Sequence, residues 1–381
     1  MKIPKDLREN IIRTVGSPKI FVFLIIWLMI LVFFGTLAQR DQGLYLVQLD
    51  YFSSWITWFG LLPTLSAKTT MLFMFINLSC YFIRPGIWSI QKIGITITHS
   101  GVMLLLFGSG LTSLFSLEGS MIIDEGKRSN YFENYYMKEF VIIDKSNQEF
   151  NEYTIFDEYL LNKNSSLKTD NLPFDLFVID YFVNCQPVQR VYLGNENFQG
   201  MAKNFYLEKL KSEKEYEQNR PGIIFEILGK EDTSVNGIYI LFMGQTIPHT
   251  LKMNNHEFDL QIRPYRTYLP FEIELIDFKK EIHPGTDVAK SFSSSINLIE
   301  DDIKRKVLIE MNAPFRHYNY TFYQASFIEQ NNIETTVLAT VQNYGRTFPY
   351  ISSIIMCIGI LMHMLIMVSK RFKKSTGIKG Q

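Results

Sequence analysis

The sequence is poor in cysteine, with three in 381 residues. Cys80 and Cys357 lie in apolar stretches, which leaves Cys185 alone in the large polar region and argues against an internal disulfide framework. Neither C-x-x-C nor C-x-x-C-H occurs, which excludes a thiol oxidoreductase of that type and a c-type cytochrome. The sequence also lacks a glycine-rich phosphate loop, H-E-x-x-H and G-x-S-x-G. We therefore predict no self-contained catalytic site.

An excess of charge of either sign is also missing, because 38 Lys and Arg balance 38 Asp and Glu. With 47% hydrophobic residues, this balance excludes a disordered polyelectrolyte and gives no support to a nucleic-acid partner. Charges are absent from four stretches, each near the ~20 residues that a helix needs to cross a bilayer. These stretches are about 20–38, 69–83, 93–115 and 348–369. The predicted fold class is an integral membrane α-helical protein with four transmembrane helices.

The short polar segments predict the orientation of these helices. Residues 1–19, 84–92 and 370–381 together hold twelve Lys or Arg and two acidic residues. Residues 116–347 hold 24 basic and 34 acidic residues. By the positive-inside rule both termini are cytoplasmic and residues 116–347 form an external domain. The predicted organisation is an N-terminal membrane part (1–115), this domain (116–347), and a final transmembrane helix with a basic tail (348–381).

An aromatic segment follows the first span, which we interpret as an uncleaved anchor. Tyr51, Trp55, Trp58 and Leu62 recur at helical spacing, and Pro63 closes the run. The pattern predicts an amphipathic helix over about 51–62 that lies in the outer membrane interface, where Trp and Tyr prefer to sit. An ordinary aromatic belt and a binding platform both remain open for it.

The predicted external domain is β-rich and sandwich-like. Short runs of β-branched and aromatic residues alternate with polar turns, and residues 271–278 alternate apolar and acidic side chains as in a half-buried strand. About a dozen such runs favour a β-sandwich-like domain. Residues 203–218 are the main helical candidate, polar all round, which favours a surface helix or a loop.

Two of the six histidines, His99 and His363, lie in apolar spans that are otherwise free of ionisable groups. An ionisable side chain in hydrocarbon costs a few kcal/mol, which makes it a candidate for function, although a neutral imidazole bonded to a neighbouring helix is the alternative. Each histidine is six residues from the predicted cytoplasmic end of its span, hence ~9 Å deep. Two imidazoles at one depth suit axial ligation of haem iron. Small residues around His99, among them Gly94, Gly101 and Gly108, would let another helix or a flat macrocycle approach.

An ordered set of short motifs resembles the ResB/CcsB family of System II cytochrome c maturation proteins. The resemblance covers nearly the whole chain: spans, a large external domain and a closing span. Its motifs are GTLAQ (35–39), ITHSGVMLLLFG (97–108), IIDEG (122–126), LPF (172–174), HPGT (283–286), MNAP (311–314), YNYTFYQASF (318–327) and GILMH (359–363).

The resemblance implies a subunit of a cytochrome c synthase in the bacterial inner membrane. A CcsA/ResC membrane partner, haem b, apocytochrome c and a thioredoxin-like thiol reductant belong to the implied system. Two thioether bonds to C-x-x-C-H thiols form outside. His99 occupies the place of the family's intramembrane haem ligand, and the second ligand usually comes from the partner. His363 then stays open as a second ligand, as a residue lining the haem path, or as a bundle-stabilising residue.

The rival interpretation is a membrane-anchored docking or sensor protein that does not bind haem. For the remaining candidates we favour structural roles: a turn at His283, a solvated strand end at Arg316 and His317, and burial of Cys185.

Overall fold

The computed structural model describes residues 5–84, 86–147, 149–191, 197–230, 232–246, 248–253, 256–286, 288–301, 303–330 and 333–377. Lys2 and Lys379, which belong to the predicted basic termini, lie outside the described residues. The chain divides into two compact units. One comprises Met1–Leu117, Tyr318–Tyr320 and Val341–Gln381, and the other Glu118–His317 and Thr321–Thr340.

The first unit is mainly helical. Its helices are α1 (Lys5–Val15), α2 (Pro18–Gln42), α3 (Leu44–Val47), α4 (Ala67–Phe82), α5 (Ile93–Phe115) and α6 (Phe348–Gly377). Helix α2 begins where Ser17 caps the helix and Pro18 takes the first turn, and it ends at Gly43, whose φ of 84° favours glycine.

Among the described residues, three helical segments are long and apolar enough to cross a membrane: Asp6–Gln42, which comprises most of α1 and all of α2, Ile93–Phe115 and Phe348–Phe372. The predicted span at 69–83 corresponds to α4, which has 16 residues and is therefore about 24 Å long. That length is short of the ~30 Å of hydrocarbon in a typical bilayer. The membrane helices are thus confirmed as a class, and the count of four is not.

Helices α5 and α6 pack closely through small residues spaced seven apart. On α5 these are Gly94, Gly101 and Gly108, and a Cβ on Gly94 would lie 2.4 Å from the backbone nitrogen of His363. From the other side, a Cβ on Gly359 would lie 2.5 Å from the backbone nitrogen of Thr98. Of the two partners predicted for the glycine face of α5, a helix therefore occupies it at these positions.

The predicted interfacial helix over 51–62 is wrong for most of its length. After a π-helical turn (Gln48–Ser53), the chain forms a hairpin of β1 (Ile56–Phe59) and β2 (Leu62–Leu65). Gly60 adopts a φ of +64° at the turn, which ends a helix but suits a tight reversal. The spacing of the aromatic residues fits either a helix or a hairpin. The positive φ of Gly60 favours the hairpin.

The second unit is built on a ten-stranded sheet, in which the pairs from β15 to β3 are antiparallel, and a four-stranded one. The larger sheet has the order β15-β14-β13-β4-β3-β18-β17-β16, with β12 on β13 and β5 on β4, and the smaller has the order β11-β10-β7-β6. The strands of the larger sheet are β3 (Leu117–Asp124), β4 (Arg128–Asp144), β5 (Glu152–Asp157), β12 (His249–Met253), β13 (His256–Ile282), β14 (Ala289–Glu300), β15 (Ile303–Glu310), β16 (Phe315–His317), β17 (Tyr320–Gln330) and β18 (Ile333–Gln342).

The smaller sheet contains β6 (Ser166–Leu167), β7 (Phe174–Phe182), β10 (Gly222–Gly229) and β11 (Gly237–Phe242), and β8 (Cys185–Gln189) pairs with β9 (Phe205–Lys209). Of the surface helix and the loop predicted for residues 203–218, the helix is therefore wrong. This segment contributes β9 and a short 3-10 turn at Tyr216–Gln218, because pairing with β8 overrides its local helix propensity.

Two of the apolar clusters formed by the described residues lie in this unit. In the first, Phe140 of β4 and Leu260 of β13 pack with Phe225 of β10, so the two sheets lie face to face. In the second, Cys185 of β8 and Leu207 of β9 pack with Ile240 of β11. Phe278 of β13 also meets Phe327 of β17 at a ring-centroid distance of 5.4 Å. The prediction of a large β-rich domain is confirmed.

Candidate functional site

His99 lies on α5 beside the C-terminal turn of α4. Its imidazole stacks on the ring of Tyr81, with centroids 4.9 Å apart and planes inclined by 25°. Its Nδ1 lies 2.8 Å from the carbonyl oxygen of Ile95. The ring is half-buried. Two contacts from different helices therefore fix the orientation of this side chain.

The Ile95 contact also selects the tautomer of His99. A carbonyl oxygen can only accept a hydrogen bond, so Nδ1 must carry the proton. In the neutral imidazole Nε2 then keeps its lone pair, as in histidines that bind a metal through one nitrogen while the other donates. The residues present thus fit haem iron, which needs a single imidazole nitrogen on each axial side.

His363 lies on α6, against Gly94 of α5. Its Nδ1 is buried and has no hydrogen-bond partner among the described residues. Burying an imidazole nitrogen without a hydrogen-bond partner costs free energy. No polar contact among the described residues offsets this cost at Nδ1 of His363.

The described contacts do not bring the two imidazoles together. Five residues separate Gly94 from His99, which turns the side chain by about 140° around α5. His99 therefore faces α4, whereas α6 covers the opposite side of α5. A pair of axial ligands made by both histidines finds no support in these contacts.

The equal depth predicted for the two histidines is wrong. Gly359 of α6 lies against Thr98, and His363 lies against Gly94, so His99 is level with Ile358. His363 is five residues further along α6, an offset of about 7.5 Å. The depth predicted for His363 was counted from the end of the apolar run at residue 369. Helix α6 continues to Gly377, so the end of that run does not mark the end of the helix.

The candidates outside the helices have structural contacts. The carbonyl oxygen of His283 accepts hydrogen bonds from the backbone and hydroxyl of Thr286 in the β13–β14 turn. His317 Nε2 lies 3.1 Å from Glu300 Oε2, and Arg316 is exposed beside it. Cys185 is 2% exposed, and burial raises the pKa of its thiol to about 11.

Sequence reasoning missed a group of buried charges in the β-rich unit. Arg263 donates from Nε to Glu139 Oε1 at 2.7 Å, and the two residues are only 6% and 1% exposed. Burial raises the pKa of Glu139 against the opposing effect of Arg263, and burial lowers the pKa of neighbouring Lys138. The signal available in the sequence was the pair Lys138-Glu139 directly before the apolar run 140–143.

Tyr81 was missed as well, and no local pattern distinguishes it from other aromatic residues in the apolar helices. Its role depends on a contact between α4 and α5. Within the described ranges, no group of three or more His, Cys, Asp or Glu could hold a metal ion. A haem needs no such group, because the porphyrin supplies four of the ligands to the iron.

Comparison with known proteins finds one family and one relative to which parts of the chain are similar. Residues 222–348 match the model of the ResB-like family. The Protein NrfI of Wolinella succinogenes is 24% identical over 275 residues, which are 70% of this chain and 27% of that protein. The chain therefore spans about a quarter of the length of this relative. The resemblance derived from the motifs is supported: residues 222–348 are similar to the ResB-like family, and the chain is similar to this relative.

Proposed function

We propose that this chain is a ResB/CcsB-like membrane subunit of a cytochrome c synthase. In this role it binds haem b within the membrane together with a CcsA/ResC-like partner and helps to deliver it to apocytochrome c. The observation that carries the proposal is the half-buried His99, whose Nδ1 is engaged by Ile95 and whose Nε2 retains a lone pair. The motifs around His99 and the similarity of residues 222–348 to the ResB-like family support it.

His99 would hold the haem iron as one axial ligand, and the second ligand would come from the partner subunit. Haem b, once bound, supplies the group that is joined to the C-x-x-C-H thiols of apocytochrome c. The carbonyl of Ile95 keeps the proton of His99 on Nδ1, and Tyr81 limits rotation of the imidazole. Because α6 covers the opposite side of α5, a partner would approach His99 from the side that α6 leaves open.

The orientation in the membrane is part of the proposal. The basic segments at both ends and at 84–92 favour a cytoplasmic location for them, and the acidic β-rich unit would then lie outside the bacterial inner membrane. The first turn of α5 would start near the cytoplasmic surface, which places His99 about 9 Å below it.

Cytochrome c assembly in cells tests the proposal. We expect His99→Ala to abolish covalent haem attachment to cytochromes c while the chain accumulates to normal levels in membranes. His363→Ala serves as the matched control, because it also removes an imidazole from a membrane helix, and we expect a smaller effect from it. Normal assembly in His99→Ala would contradict the proposal and favour a docking or sensor protein without haem.

A further inference from the structure

The segment between α2 and α4 folds back along α2 and does not remain at the end of that helix. Phe59 of the hairpin packs on Trp27 and Phe34, with ring centroids 6.1 Å and 5.4 Å apart. The Trp27 indole also donates to the carbonyl oxygen of Leu65 at 2.9 Å. Trp27 is eight residues from Lys19, and Phe34 is six from Arg40, so Phe59 lies at least about 9 Å from either charged end of α2.

The position of α4 agrees with this depth. Near its C-terminal end, Asn77 donates to the carbonyl oxygens of Val15 and Ser17, just before α2 begins. Ala67, the first residue of α4, is ten residues earlier and hence about 15 Å further along, near the level of Trp27. If α2 spans the membrane, α4 covers only one half of the bilayer, and the β1–β2 hairpin lies in the other half.

A hairpin at that depth is not stable against lipid alone. Its sheet has two strands, so each strand has one edge without a strand neighbour among the described residues. Hydrocarbon cannot satisfy the backbone groups of an open edge, and such backbone occurs at membrane depth only where protein or a water-filled cavity covers it. The outer side chains are nevertheless apolar and exposed: Trp55, Ile56, Trp58, Leu61 and Leu62.

Lys68 is a second and independent observation. It lies in the first turn of α4 and is half-buried, and its ammonium sits 4.7 Å from the centre of the Trp55 ring. A cation at membrane depth normally faces a protein interior or a cavity and pairs with a polar group. A protein surface that packs against this hairpin must therefore be mainly apolar, to match the exposed side chains. It must also carry a polar or acidic group, to pair with Lys68.

We propose that the outer face of the β1–β2 hairpin, with Lys68, is the docking surface for a transmembrane helix of the partner subunit. That helix would cover the open strand edges and present a carboxylate or hydroxyl group to Lys68. This inference rests on the proposed function for the identity of the partner. The surface itself follows from the depth of the hairpin and its open edges.

Photo-crosslinking in native membranes tests the proposal. A benzophenone amino acid replaces Leu61, which is 93% exposed and so tolerates the change, in the full chain co-expressed with its CcsA/ResC-like partner. The control replaces Leu361, an exposed residue of α6. We expect a covalent adduct with the partner from position 61 and no adduct with the partner from position 361. An adduct between two copies of this chain, or reaction at position 61 with lipid alone, would overturn the proposal.

A labelling experiment tests the depth argument separately. Leu61→Cys, in a chain whose three native cysteines are replaced by alanine, is exposed to a membrane-impermeant maleimide in intact cells with the partner present. We expect protection, and rapid labelling would overturn the inference. The haem spectrum of the same complexes separates the two proposals, because loss of haem with retention of the adduct would contradict the proposed function alone.

Discussion

At the residue scale, the neighbours of His99 determine its tautomer and the orientation of its ring. A histidine in an apolar helix could equally be a packing residue, and the sequence alone left that alternative open. The contacts with Ile95 and Tyr81 distinguish it from His363, which has a buried nitrogen without a partner among the described residues. The sequence identified both histidines because charge is scarce around them, but it contained no information on which face of the helix each one occupies.

Tyr81 should influence haem retention through this stacking contact. Aromatic pairs of this kind contribute about 0.5–1.5 kcal/mol, so Tyr81→Leu should weaken haem binding by up to about tenfold. Tyr81→Phe keeps the ring and should retain haem. The haem-to-protein ratio after dilution in detergent measures the effect, and the electron paramagnetic resonance spectrum reports the orientation of the axial imidazole. Equal behaviour of the two variants would show that the stack has no positioning role.

The buried pair of Arg263 and Glu139 should be sensitive to loss of one partner. Arg263→Met leaves a buried carboxylate without its main donor and should reduce the free energy of unfolding by about 3–5 kcal/mol. The double variant with Glu139→Leu removes both charges and should recover most of this loss. Urea unfolding of the full chain, followed by circular dichroism of the β-rich unit, measures both. A single variant as stable as the wild type would contradict the assignment.

At the element scale, long regular patterns were predicted well and short irregular ones were not. The apolar run at 93–115 coincides with α5, because a helix of this length in hydrocarbon must follow the uncharged stretch. The segment at 51–62 was misassigned because its aromatic spacing suits a helix, whereas Gly60 and tertiary packing on α2 favour a hairpin. The residues between 203 and 218 show the same effect of strand pairing over local propensity.

The glycine contacts between α5 and α6 give a prediction at this scale. Gly94→Ala places a methyl group 2.4 Å from the backbone of His363, and the helices must move apart at a cost of about 1–3 kcal/mol. Gly110→Ala is the matched control on the same helix, because nothing lies within 4 Å of its added carbon. We expect a lower melting temperature in detergent for the first variant and no loss for the second. A similar melting temperature for both would contradict the close packing.

At the scale of the whole molecule, the chain combines a helical membrane part with a large β-rich unit, and both were predicted from the distribution of charge and the alternation of side chains. The contacts that define the candidate site were not predictable, since they join residues of different helices. Tyr81 and His99 are 18 positions apart in the sequence, and no local pattern relates them. The same holds for Arg263 and Glu139, which meet across β13 and β4.

The central claim is that His99 is a haem ligand in a complex with a membrane partner. The most direct measurement is the reduced-minus-oxidised optical spectrum of the purified complex, recorded for the wild type and His99→Ala, with His363→Ala as control. The account predicts a six-coordinate haem b spectrum that persists in His363→Ala and is lost in His99→Ala. A haem spectrum unchanged in His99→Ala, or the absence of haem from the wild-type complex, would contradict it.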